Sequence, residues 1–371
     1  MHRSGSVRYG GRMTQLMVRI ALCAVVVLGV APAVRAEEAP AKKVAPLEER
    51  VNAAIDKGVA WLKSKQRKDG SYPGFSDDLG PRQYNIMEVG LNALVMLTLG
   101  HCGVEAEDDA IEKCIRFCQF HYAGGNGSMN LKGNNQVTIY TASTLIQALN
   151  TLYRGTPKQK PLKMDRYGKP IPPKPVKCKY PNWVKRWIKE LVGFIVRSQH
   201  ESGGWRYPGN PLAAEKGETD LSNVQYALLG LEAAASCGII APKSTWTKAL
   251  AHLMAIQEDE GLETPVWIEN PAWEPGQDET PRFIEVGTAQ ARGWTYLPGQ
   301  QAYATGSMTC AGVTCLALLK ERLWLLGALD DAQRRKVDAA ITDGLAWLSD
   351  TFTVSDNPDT SGTPQMWHYY Y

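Results

Sequence analysis

The groups in this chain that could do chemistry are acids beside aromatics, polar residues at the starts of apolar stretches, and thiols. Glu269 and Glu274 lie among Trp267 and Trp273. Indole faces with two carboxylates suit a carbohydrate-active site, where the acids stand about 5 to 10 Å apart across a sugar. Glu107-Asp108-Asp109 and Asp330-Asp331 each precede a stretch of helical periodicity. N-capping and the helix dipole account for them without catalysis. A third set comprises Asn85, Glu88, Asn134, Gln136, Thr138, Asp220, Asn223, Gln225, Gln301, Tyr303, Thr305, Ser307 and His368, each near the start of an apolar run. Capping explains any one of them, whereas convergence on one cavity would make a site. Asp220, Asn223, Tyr303 and His368 are the candidate ligand-binding residues. No Gly-rich phosphate loop and no Gly-x-Ser-x-Gly elbow occurs.

These groups must be positioned by helices. From Leu47 to Gln66, Val51, Ile55, Val59 and Leu62 make one apolar stripe among charged residues, the mark of an outer amphipathic helix. The next stretch, 85–99, is apolar on nearly every side and must be enclosed by protein. The alternation returns at 109–122 with 136–152, at 181–199 with 221–237, and at Lys248 to Leu253 with 304–319. A fifth unit opens at Asp331, and Trp367 to Tyr371 begins its inner helix, so the chain is expected to continue past Tyr371. Units of about 50 to 58 residues imply stacked helical hairpins. Two insertions interrupt them: 154–180, rich in proline and basic residues, and 258–293.

The units share a pattern. Lys57-Gly58-x-x-Trp61-Leu62 is followed by Gln66, Gly70 and Tyr72; Phe194-Ile195 is followed by Gln199, Gly203 and Trp205. Gln257 and Gly261 keep part of it, Gly293-Trp294 nearly copies Gly204-Trp205, and Asp343-Gly344-x-x-Trp347-Leu348 copies the opening. This pattern resembles the QW repeat of squalene and oxidosqualene cyclases, shared in looser form by protein prenyltransferase β subunits. The resemblance implies an all-α fold, an α/α toroid of five recognisable hairpin units with the last incomplete. It also implies that Trp61, Gln66, Gly70, Tyr72, Phe194, Gln199, Gly203 and Trp205 are structural, the Gln bonding backbone at a neighbouring helix end and the aromatic stacking over it. The Asp-x-Asp-Asp acid of such cyclases is absent. Where such transferases hold zinc through Asp-x-Cys and a later His, this chain has Asp220-Leu221-Ser222 and a distant His368, and Ser is a poor zinc ligand. No metal or cofactor is therefore expected.

Residues 1–36 read as a cleavable export signal: basic residues, the apolar run Ile20 to Val30, and small residues before a cleavage point after Ala36. An uncleaved membrane anchor is the alternative. A polar linker, 37–46, follows. Cleavage removes five arginines and no acid, leaving 36 basic against 38 acidic side chains, a formal −2. Such a balance gives no electrostatic case for nucleic acid. Seven cysteines remain, an odd number, and several lie in apolar helical runs, which favours free buried thiols over a disulfide framework. The expectation is an exported toroid protein without the family's catalytic groups that binds an apolar small molecule or a protein partner at the inner-helix mouth or the inserted loops. A divergent terpenoid cyclase and a carbohydrate-active toroid are the alternatives.

Overall fold

The computed structural model describes residues 46–73, 88–122, 138–154, 180–206, 219–274, 276, 280–297, 303–353 and 356–358. Among them are nine helices and one antiparallel strand pair: α1 (Leu47–Lys65), α2 (Glu88–His101), α3 (Asp109–Tyr122), α4 (Ile139–Tyr153), α5 (Asn182–Arg197), α6 (Leu221–Ser236), α7 (Lys243–Ala255), β1 (Leu262–Glu269), β2 (Phe283–Ala291), α8 (Gly306–Leu325) and α9 (Asp331–Thr351). The chain divides into two compact units, Met1–Asn52 and Ala53–Tyr371. Residues 46–52, the start of α1, are what is described of the first, and the buried core belongs to the second. The segment 1–36 read as an export signal lies outside the described residues.

The apolar helices α2, α4, α6 and α8 touch one another in that order. They run in the same direction, because contacts match early with early and late with late. Gly90 lies against Thr141 and Gly100 against Thr151; Ser143 Oγ donates to the Tyr226 carbonyl, and Asn150 Nδ2 donates to Ser236 Oγ at 3.3 Å. Small residues allow the approach: a Cβ on Gly230 would fall 2.8 Å from Ser143 Cα. The amphipathic helices lie against this row. α5 buries Val184, Trp187, Ile188, Leu191, Val192 and Ile195, a stripe at helical spacing. Each such side chain contributes roughly 1.5–3 kcal/mol of transfer free energy.

The repeat pattern is a joint between successive amphipathic helices. Gln66 Nε2 donates to the carbonyls of Gly70 (3.2 Å) and Ala110 (2.9 Å), the latter on α3. Gln199 Nε2 donates to Gly203 (2.9 Å) and to Thr245 on α7 (2.9 Å). Gln257 Nε2 donates to Arg292 (3.1 Å) and to Ala340 on α9 (3.0 Å). Below each Gln the turn closes alike, through Arg67 N to Ser71 O, His200 N to Gly204 O and Glu258 N to Gly293 O. Gly70 and Gly203 have φ near +90°, and any Cβ there would strike the Lys113 or Lys248 carbonyl within 2.4 Å. The buried Trp205 and Trp294 donate Nε1 to the carbonyls of Ile195 (2.7 Å) and Leu253 (3.0 Å).

Several expectations change. Gly261 does not complete the fourth copy; Arg292 does, because the whole insertion is spliced between Gln257 and its turn. The Gln does not always reach a helix end, since Ala340 is mid-helix in α9. Trp61, expected as a structural residue of the pattern, is 60% exposed, and of the α1 stripe Val59 and Leu62 pack on the core while Val51 and Ile55 are exposed. The fold is mostly helical rather than purely so: within the 258–293 insertion β1 pairs β2 from Leu262↔Ala291 to Glu269↔Phe283, with an irregularity at Val266/Trp267. Alternation of β-branched, aromatic and acidic residues there carries a strand period that the Pro and Gly content obscured. Among the described residues six cysteines are free and none is disulfide-bonded. Burial pushes the Cys114 and Cys315 thiols up to about 12. Cys178 lies outside the described residues.

Candidate functional site at the start of the apolar helices

Because α4, α6 and α8 run together, their amide-rich starts share one end of the row. Each start is closed by its own side chain. Thr138 Oγ1 accepts from Thr141 N at 3.1 Å, Asp220 Oδ1 from Asn223 N at 2.9 Å, and Thr305 Oγ1 from Met308 N at 3.4 Å. Asp220 is almost fully buried and accepts further bonds from Ser222 Oγ (2.5 Å) and Asn223 Nδ2 (2.8 Å to Oδ2). Asn223 is fully buried, and its Oδ1 has no hydrogen-bond partner among the described residues. The acidic pairs cap helices too: Ala110 N donates to Asp108 Oδ1, and Asp330 forms a reciprocal capping box with Gln333.

Further amides at the starts of α6 and α8 are taken by neighbouring segments. Leu221 N donates to the Tyr296 carbonyl at 3.1 Å, and Gly306 N to the Pro358 carbonyl at 2.9 Å. Ser307 N donates to Asn357 Oδ1 at 2.8 Å, while Asn357 Nδ2 returns a bond to Ser307 Oγ. Glu258 clamps the approach to α8, accepting from Gly293 N (2.8 Å) and Ala304 N (3.2 Å). Sequence reasoning missed Glu258 and Asn357. The signal for Glu258 was its place directly after Gln257, as His200 follows Gln199; Asn357 had none.

Of the four candidates, Asp220 and Asn223 are brought together, as a cap and its bonded neighbour. Tyr303 is half-buried just before Ala304. His368, Asn85, Asn134, Gln136 and Gln301 lie outside the described residues. Beside Asp220 is an imidazole that the sequence did not single out: His252 Nε2 lies 3.0 Å from Thr219 Oγ1, under Gly204, where a Cβ would come within 2.7 Å of that nitrogen. Burial, with His200 close by, pushes His252 down to about 4.

Two other places hold polar clusters. At the opposite end of the row, Cys237 Sγ lies 2.7 Å from Tyr180 Oη and 2.9 Å from Asn150 Oδ1. Nearby, Glu107, Glu112, Arg116, Tyr153 and Trp183 line an open cleft of about 230 Å³, small for a ligand pocket. The second place is the β1–β2 hairpin, which leaves from the end of α7 and returns before α8. It exposes Trp267, Ile268, Phe283 and Val286, and Glu269 forms an ion pair with Arg282 at 3.1 Å. Among the described residues no group of His, Cys, Asp and Glu could hold a metal ion, and no helix is long and apolar enough to cross a membrane. No family model matches the chain, and no curated protein matches it.

Proposed function

We propose that this is an exported α/α-toroid protein, resembling the terpenoid-cyclase and prenyltransferase repeat proteins, that acts by binding a protein partner and not by catalysis. Its binding element is the β1–β2 hairpin at the end of the row where the apolar helices begin. One observation carries this reading: among the described residues the polar groups at that end, Asn223 Oδ1 apart, are spent on caps and joints, while the hairpin beside them turns aromatic and acidic side chains outward. Exposed large apolar residues on an otherwise solvated element mark an interaction surface. The consecutive contacts of α2, α4, α6 and α8, and the Gln joints between their flanking helices, support the toroid. The test is incubation of the purified chain with squalene-type and prenyl diphosphate substrates and with soluble polysaccharides. Unchanged substrates are expected, and any product that disappears on Asp220→Asn would sink the non-catalytic reading.

A further inference from the structure

The two insertions carry opposite charge and leave the helices at opposite ends. From Glu258 to Gly293 there are nine acidic and two basic residues. Both basic side chains are committed, Arg282 to Glu269 and Arg292 to Asp343 of α9. Between Arg154 and Lys179 there are nine basic residues, one acid and six prolines, including Pro170-Ile171-Pro172-Pro173-Lys174-Pro175. Arg154 caps the end of α4 and Tyr180 precedes α5, so this stretch departs and returns at the late end of the row. The hairpin belongs to the early end, a helix length of roughly 22 Å away at 1.5 Å per residue.

The register of the hairpin sorts its two faces. Val266, Ala289 and Ala291 pack against Ala346, Trp347 and Leu348. The other face carries the pairs Glu263↔Gln290, Pro265↔Thr288, Trp267↔Glu285 and Glu269↔Phe283, and every one of these residues is exposed. Trp267 is 57% and Phe283 52% exposed, and neither Glu263 nor Glu285 makes an ion pair among the described residues. The chain already shows what this chemistry holds. The Arg282 guanidinium lies 4.9 Å from the Trp273 ring centre and 5.3 Å from that of Phe283 while bonded to Glu269. Aromatic faces rimmed by carboxylates suit a basic, proline-rich strand, whose pyrrolidine rings stack and whose cations pair.

We infer that the outward face of β1–β2 is a docking surface for the 154–179 stretch of a second copy of this chain. The inference rests on the partner-binding reading above and names the partner. Taken from a second copy, a segment at the other end makes a head-to-tail, heterologous contact; taken from its own chain, whose half-stretch reaches about 40 Å when extended, it leaves the chain monomeric. Sedimentation velocity of the full chain tests it, together with fluorescence anisotropy of a labelled peptide of residues 154–179. Concentration-dependent self-association at low salt is expected, screened as ionic strength rises and competed by the free peptide. Trp267→Ala weakens it about tenfold, as does Glu263→Lys with Glu285→Lys, with the helical circular dichroism unchanged in each. A chain that stays monomeric but binds the peptide through Trp267 overturns the second-copy occupant and leaves the partner-binding reading standing. A polysaccharide that takes the face in place of the peptide overturns both the second-copy occupant and the protein-partner reading. Association indifferent to these substitutions overturns the docking face, and substrate turnover overturns the non-catalytic reading instead.

Discussion

Single side chains hold this structure by bridging units, and their loss is expected to be felt accordingly. Gln257 is buried and its amide spans two carbonyls on different elements, Arg292 and Ala340. Gln257→Ala is expected to cost about 2 kcal/mol, from two lost hydrogen bonds and buried acceptors left short, read as a lower urea midpoint. His252 makes a second residue-level prediction. Held down to about 4 in the fold by burial, it stays neutral there while the unfolded chain binds a proton near 6.5. Stability is therefore fully present above pH 6.5, falls as pH drops from 6.5 to 4, and this contribution is then flat. The loss is about 3 kcal/mol. Denaturation midpoints of wild type and His252→Gln across that window should converge toward acid, and parallel curves would show that another group governs the slope.

At the scale of elements, the glycine that opens the repeat pattern shows what a neighbouring unit demands. Gly344 of α9 faces Trp294: a Cβ there would lie 2.6 Å from the indole, and one on Gly312 of α8 would lie 2.3 Å from it. Trp294 thus fills a slot that two glycines open between α8 and α9. Gly58 holds the same place in the pattern on α1, yet nothing lies within 4 Å of a Cβ there. The same change should have opposite signs. Gly344→Ala is expected to destabilise by about 1–3 kcal/mol through overpacking, and Gly58→Ala to stabilise by about 0.5–1 kcal/mol through helix propensity. Thermal melts of the two variants decide this. A related cost attends α6 and α8, where Arg322, nearly buried against Trp246, is held by Glu232 with Nε at 2.8 Å. Glu232→Ala leaves a buried cation unpaired, at about 3 kcal/mol or more.

At the scale of the molecule, the hairpin is an addition to a helical frame. Leu262 pairs with Ala291, so the two ends of the insertion already meet, and the Gln257 joint and Glu258 clamp lie outside the excised residues. Replacing 262–291 by a short glycine-serine linker should leave the helical circular dichroism intact and lower the melting temperature by only a few degrees. Binding of the 154–179 peptide should vanish with it. Collapse of the helical signal would mean that the strands are part of the core.

The sequence by itself determined which stretches are helices and which of them are enclosed, because a 3.6-residue period or its absence is a property of local side-chain order. It also exposed the joint, since the same Gln recurs after three of the amphipathic helices, α1, α5 and α7. Reading Gly261 as the partner of Gln257 failed because spacing cannot see an insertion within a motif. The candidate site was less legible. Asp220 and Asn223 look alike in sequence whether they greet a ligand or close a helix; only the folded neighbours, Trp205, Tyr296, Asn357 and Pro358, decided that the amides of Asp220, Leu221, Gly306 and Ser307 are already taken. The outward face of the hairpin was likewise settled by tertiary contact, because α9 covers one side of β1–β2 and leaves Trp267 and its acids on the other.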